Sequence, residues 1–290
     1  MDNFDGKLAV ITGAGSGIGR ELAVALSRYG ARLALLDINE PSVEETANRC
    51  RQSAGGAVST HQCDVTDAAA VESVASQVAE AHDSSHVNLL VNNAGIGSTE
   101  SFLDGDPNVW ERTFDICWGG VYHCSRSFLP MVVTAEEGHI VNISSINGLW
   151  ASLGPSRTHT SYCAAKFAVR GFTEALITEM RLLAPHVGVS VVMPGHIGTD
   201  LVANSNATLG RPWTGEVTEA QAAFRNAAPT TPAEAAQIIL NGVRAGRWRI
   251  LIGHDAHVLD EAIRADPEGA YEPGFVDFLH EQGILVGLVQ

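Results

Sequence analysis

Tyr162 and Lys166 stand four positions apart in the stretch TSYCAAKFAVRG, residues 160–171. The stretch is rich in alanine and free of proline, and it reads as a helix, on which positions i and i+4 share a face. An ammonium beside a phenol favours the phenolate and lowers the phenol's pKa. A phenol tuned in this way can take a proton from an alcohol or return one to an alkoxide. The spacing alone is common, so the pair gains meaning only from its surroundings.

The turn TGAGSGIGR, residues 12–20, carries a second candidate chemistry. Gly13, Gly17 and Gly19 have GxxxGxG spacing, with Ser16 and Ile18 between them. A glycine turn joining a strand to a helix lets the backbone approach a pyrophosphate, and it aims the free N–H groups of the helix at the phosphates. Asp37 follows eighteen residues beyond Gly19, at the end of the next apolar run. A carboxylate there accepts hydrogen bonds from an adenosine ribose diol and repels a 2′-phosphate. Ile38 follows it with no arginine alongside, and Ser16 stands where a 2′-phosphate would favour a basic residue. NAD is therefore expected over NADP. Asp64 and Val65 are expected to flank the adenine, although Asp64 alone could equally be a helix cap.

These residues need a frame. Short apolar runs at 7–12, 31–37, 57–63, 87–93, 138–144, 187–193 and 247–253 read as strands. Between them, 17–30, 42–54, 68–82, 107–134, 160–184 and 232–246 read as helices. Near-continuous hydrophobic strands alternating with helices predict an α/β fold: a Rossmann-type, doubly wound, parallel seven-stranded sheet with helices on both faces. No linker-like stretch divides residues 1–290, so one domain is expected, with its core at about 7–253. Residues 200–231 are polar and weakly periodic and read as a substrate-loop insertion. Residues 254–290 read as a C-terminal extension packing on the domain or on a neighbouring subunit.

Bulk composition narrows the partners. A net charge of −15 disfavours nucleic acid and anionic membranes. Five cysteines without a CxxC pair suit reduced thiols. The start MDNFDGKLAVITG has acidic residues where a signal peptide would have basic ones, and no apolar run approaches a membrane span. A cytoplasmic location is expected. His254 and His257 form HDAH, but no third ligand or cysteine pair accompanies them, and no metal is assigned.

Together the motifs resemble the short-chain dehydrogenase/reductase family in its compact branch. The resemblance runs through about 7–253 and rests on TGAGSGIG, NNAG at 92–95, NISS at 142–145, YCAAK at 162–166 and PGHIGT at 194–199. It implies that Asn93, Ala94 and Gly95 line the cofactor cleft. Tyr162 would be the general acid/base, and Lys166 would bind the nicotinamide ribose and lower the tyrosine's pKa. Ser145 would hydrogen-bond the substrate oxygen, with Ser144 the competing assignment. Pro194, Gly195, Ile197 and Thr199 would hold the nicotinamide end. The implied activity is NAD-dependent interconversion of a secondary alcohol and a ketone, in a homodimer or homotetramer. A dinucleotide-binding regulator without turnover is the alternative, and a lyase or dehalogenase on the same fold a more distant one.

Two departures from the family pattern stand out. Cys117 occupies the position where the family usually has an asparagine serving a proton relay. A thiol is a weak hydrogen-bond partner. Cys117 reads as a small buried hydrophobe, with Asp115 nearby as a conceivable substitute. Ser145 and Tyr162 are also seventeen residues apart, where the family usually shows about thirteen. The extra residues bring Trp150, Leu153 and Pro155 near the expected substrate position. Asn147, Leu149, Trp150, Leu153, His196 and Leu201 are expected to line a partly apolar substrate pocket.

Overall fold

The computed structural model describes residues 1–53, 56–154 and 158–284; Pro155 lies outside them. Strands β1 (Leu8–Thr12), β2 (Arg32–Asp37), β3 (Val58–Gln62), β4 (Leu89–Asn92), β5 (Gly138–Ile143), β6 (Val187–Pro194) and β7 (Arg249–Ile252) form one sheet in the order β3-β2-β1-β4-β5-β6-β7. Every pairing is parallel. The chain winds outward from β1 to β3, then returns to β4 on the other side of β1. That reversal opens a crevice beyond the C-terminal strand ends, the place where such sheets bind ligands.

The strands form because their side chains are covered on both faces. Every residue of β1, β4 and β5 is buried. On one face lie α1 (Gly17–Arg28) and α2 (Glu40–Arg51), with Leu22, Leu26, Val43 and Ala47 in the core. On the other lie α3 (Ala68–Ala81), α4 (Pro107–Phe114), α5 (Gly120–Val133) and α6 (Thr160–Leu183); Val71, Val74, Phe128, Leu176 and Met180 fill that layer. After β6 come α7 (Leu201–Thr208), α8 (Gly215–Asn226) and α9 (Pro232–Arg244), and α9 returns to the first face through Ile239 and Leu240. Side-chain caps set several helix starts. Asn39 accepts from the Ser42 amide, Asp67 from Ala69 and Ala70, and Thr231 forms a capping box with Glu234.

Three segments carry structure that the sequence reading did not specify. The helix predicted over 107–134 is interrupted by a π-helical turn, Asp115–Gly119, between α4 and α5. Gly119 and Gly120 weaken the α-helical ladder there, and Gly120 packs so closely on Val65 that a Cβ would lie 2.6 Å from the valine. Residues 200–231 contain two short helices. The extension forms α10 (His254–Ala265), a 3₁₀ turn (Gly269–Tyr271) and α11 (Gly274–Glu281), which enclose a third apolar cluster with Ile146 and Trp150. No helix among the described residues is long and apolar enough to cross a membrane.

Candidate active site

A cleft of about 780 Å³ runs along the C-terminal strand ends. Its walls gather Gly13, Ser16, Gly17, Ile18, Asp37, Asp64, Val65, Asn93, Ala94 and Gly95 with Ser145, Tyr162, Lys166, Pro194, Gly195, Ile197, Thr199 and Leu201. Gly19 is buried behind the turn. A Cβ there would lie 2.4 Å from the Gly13 carbonyl oxygen, so Gly19 shapes the turn by close packing. Gly13 has φ of 63°, and a Cβ would lie 2.9 Å from Ala94 Cα. The turn is therefore pressed against the NNAG segment. Asn93 Nδ2 donates to the carbonyls of Thr12 and Gly13, at 2.9 and 3.1 Å.

The glycine turn has the features a dinucleotide requires. Ser16 makes no side-chain cap, unlike the caps of α2, α3 and α9, so the first amides of α1 open onto the cleft. Asp37 borders the cleft and accepts from the amides of Gly15 (2.8 Å) and Asn39 (2.9 Å). Arg20 is the nearby cation, and it is engaged by the Gly15 carbonyl, Thr46 and Glu45. At the adenine end, Asp64 accepts from Thr66 and from Arg112 at 2.7 Å. Burial opposes its ionisation, but the Arg112 and Thr66 bonds prevail and hold its carboxyl below the usual range.

The candidate chemistry sits at the ends of β5 and α6. Lys166 is buried and donates from Nζ to the Ile143 carbonyl at 3.0 Å. Nζ lies 5.5 Å from the centre of the Tyr162 ring. The Ser144 hydroxyl is committed to the Lys166 carbonyl at 2.7 Å, which ties β5 to α6. Ser145 is the serine beside the Tyr162 phenol, and its hydrogen bonding favours the phenolate. The sequence expectation of a lowered tyrosine pKa does not hold for the protein by itself. Burial pushes the Tyr162 phenol up, more than Ser145 can offset, and burial lowers the Lys166 ammonium. In the protein alone, both groups are driven towards neutrality.

Cys117 lies in the π turn, fully buried, and its thiol donates to the Ile96 carbonyl at 3.2 Å. A Cβ on Gly95 would lie 3.4 Å from Lys166 Nζ and 3.6 Å from Cys117 Sγ, so the three residues adjoin. Asp115 is exposed.

Most of the expected apolar substrate pocket is placed elsewhere. Trp150 is 2% exposed; its Nε1 donates to the Ala270 carbonyl at 2.8 Å, and its ring packs on Phe275. Its large apolar surface is taken by the extension. Leu149 packs with Val191 and Met193 under β6. Asn147 braces the insertion by donating to the carbonyls of Trp150 and Ser152. Leu153 does not reach the cleft wall, and the buried ring of His196 packs at a tilt against Phe224, 4.5 Å between centroids. Of the six, Leu201 lines the cleft.

Residues outside the motifs complete the walls. Asn204 of α7 donates to the Ser16 hydroxyl at 2.9 Å, joining the insertion to the glycine turn. Phe224, Ala207 and Thr208 add lining from α7 and α8. Glu100–Arg211 and Gly97–Ser205 contacts hold the insertion to the loop after β4. His159, three residues before Tyr162, packs its ring on the phenol at 4.6 Å, and its Nδ1 donates to the Ser98 carbonyl. Burial pushes the His159 pKa down to about 4. The polar, weakly periodic stretch 200–231 gave no signal for Asn204 or Phe224; for His159, proximity to Tyr162 was the available hint. Among the described residues no group of three or more His, Cys, Asp or Glu could hold a metal ion.

Comparison with known proteins agrees with this geometry. A family model described as short chain dehydrogenase matches residues 7–210. SadH of Mycobacterium tuberculosis, a protein named as an oxidoreductase, is 41% identical over 264 residues, covering 91% of this chain and 92% of SadH. Epidermal retinol dehydrogenase 2 of Homo sapiens is 38% identical over 177 residues, 61% of this chain and 55% of that protein. The crystal structure of a short chain dehydrogenase/reductase from Burkholderia phymatum in complex with NAD superposes with a TM-score of 0.80 at 30% identity, covering 94% of this chain and 98% of that one. On the family model and these matches, the chain belongs to the short-chain dehydrogenase/reductase family of oxidoreductases.

Proposed function

We propose that the protein is an NAD-dependent oxidoreductase that interconverts a hydrophobic secondary alcohol and its ketone. The observation that carries this reading is the meeting of Ser145, Tyr162 and Lys166 on one wall of a cleft whose far end is the glycine turn. Bound along that cleft, an oxidised nicotinamide dinucleotide would supply the hydride acceptor. The turn and the open start of α1 would hold its pyrophosphate, and Asp37 its ribose diol. Asp37 and the engagement of Arg20 by Glu45 both favour NAD over NADP.

In the oxidative direction the Tyr162 oxygen takes the hydroxyl proton, while the Ser145 hydroxyl donates to the same substrate oxygen. In reduction the Tyr162 phenol returns the proton to the developing alkoxide. Lys166 provides the attraction that makes the phenolate accessible. At an effective dielectric of ~20, a charged ammonium and a phenolate oxygen roughly 5 Å apart would attract by about 3 kcal/mol, roughly two pKa units. Ile96, Ile116, Leu201 and Phe224 give the substrate end an apolar character, which supports a hydrophobic substrate. Assembly as a homodimer or homotetramer belongs to the same reading, supported by Tyr122 and Phe167 exposed on α5 and α6.

The test is absorbance-monitored reduction of NAD⁺ and NADP⁺ over a panel of linear, aromatic and cyclic secondary alcohols, with Tyr162→Phe alongside. Turnover with NAD⁺ that vanishes in the variant supports the proposal. NADH binding without turnover of any alcohol would reject it in favour of a dinucleotide-binding regulator.

A further inference from the structure

The PGHIGT segment floors one end of the cleft with Pro194, Gly195, Ile197 and Thr199. Its backbone is anchored at both ends by main-chain bonds: Gly195 N–H to the Ile252 carbonyl, at 2.8 Å, and Gly198 N–H to the Thr230 carbonyl, at 3.0 Å. Between them, the His196 amide donates to a side chain, Asp255 Oδ2, at 2.6 Å. Asp255 lies in the first turn of α10, 59 residues further along and beyond the 7–210 span of the family match. Its carboxylate is 2% exposed and also accepts from the Ala256 amide at 3.0 Å. No ion pair reaches it among the described residues.

The fit around this carboxylate is close. A Cβ on Gly195 would lie 2.1–2.3 Å from Asp255 Oδ1, Cγ and Oδ2, and a Cβ on Gly253, whose φ is 95°, would lie 2.3 Å from Oδ1. Two glycines thus make room for one buried acid. Burial raises its pKa, so the carboxylate is held at a cost to the fold, which a filler leucine or alanine would not incur. The arrangement places that acid on the His196 amide, within the loop that lines this end of the cleft.

We propose that Asp255 is a positioning residue for the dinucleotide site, which makes the C-terminal extension part of the machinery that shapes the cleft. Asp255 does not touch the cleft itself; it acts through His196 N–H and the back of Gly195. The proposal rests on the dinucleotide reading above, and its test separates the two.

The test compares Asp255→Ala and Asp255→Asn with the wild-type protein, using hydrogen exchange of the free proteins and NADH titration by fluorescence. Asparagine keeps an acceptor for the His196 amide. In Asp255→Ala, exchange in the peptide over 195–199 should rise at least ~10-fold while the 12–20 peptide is unchanged, and NADH should bind ~10-fold more weakly. Asp255→Asn should recover NADH affinity to within about threefold. Lower thermal stability with wild-type NADH affinity and unchanged 195–199 exchange would overturn the proposal, because a purely structural acid would behave that way. If the wild-type protein binds no NADH, the dinucleotide reading fails, and with it the proposed role of Asp255, whatever the exchange pattern.

Discussion

The two ends of the cleft are built on different plans. At the β1–β2 end, the motif residues hold one another. Gly13 presses on Ala94, Asn93 bonds the carbonyls of Thr12 and Gly13, and Asp37 accepts from Gly15. At the β6–β7 end, the motif is held by side chains that belong to no motif. Asp255 bonds His196, Phe224 packs against its ring, and Trp150 anchors the insertion to the extension. On the proposed reading, the first end would meet the part of the ligand with fixed chemistry, the pyrophosphate and ribose, which would constrain its backbone geometry. The second end would face what is reduced or oxidised, and its walls come from loops and helices free to change.

The largest expected effect breaks the comparison at its junction. Tyr162→Phe should cost about 10³-fold or more in kcat with any alcohol the protein oxidises, while NADH affinity changes less than about threefold. Steady-state kinetics and fluorescence titration check this. In the free protein, the wild-type minus Tyr162→Phe ultraviolet difference should show less than half of this phenol ionised at pH 10, because burial raises its pKa above the ordinary 10.0. A phenolate band at pH 9 would contradict the burial argument.

Trp150→Ala probes the far end. Removing this ring should destabilise the fold by about 3–5 kcal/mol, through lost packing and the unpaired Ala270 carbonyl. Denaturant unfolding measures it. Because Trp150 does not line the cleft, the KM of the folded enzyme for alcohol should stay within about twofold; a tenfold rise would return Trp150 to the substrate wall. At the near end, Asp37→Ala should raise the NADP⁺/NAD⁺ ratio of kcat/KM by about 10²-fold, since it removes both the ribose acceptor and the charge that repels a 2′-phosphate. An unchanged ratio would move cofactor choice to another residue. The smallest effect is expected at Cys117. Cys117→Asn should raise kcat a few-fold if the thiol, committed to the Ile96 carbonyl, leaves the Lys166 side of the site short of a proton relay. Equal or lower turnover rejects that role.

How much of this was legible follows the same division. Seven apolar runs gave seven strands within two residues of their ends, because a strand covered on both faces must be apolar almost throughout. The residues of the glycine turn, NNAG and YCAAK were legible because their spacing answers to backbone geometry. The apolar reading of Trp150 and Leu149 was sound as chemistry and misplaced in space. A tryptophan in an insertion must be buried by something, and the sequence does not say whether substrate or protein will do it. The π turn was not legible for a related reason: the glycine pair 119–120 marks a weak point in the helix, but only the packed structure shows Gly120 lying close against Val65.

By itself the sequence determined the order of the elements, the parallel sheet and the residues proposed to carry proton transfer, because periodicity and motif spacing are local properties of a chain. The tertiary structure decided which of two serines faces Tyr162, that Asp255 reaches back to His196, and that the extension rather than the substrate covers Trp150. Those outcomes depend on contacts between residues up to 120 positions apart, where a side chain's partner is set by which surfaces the packed sheet brings together. The same packing decided the proton affinities: burial raised Tyr162 and lowered Lys166, opposite to what a phenol and an ammonium four residues apart would do to each other in water.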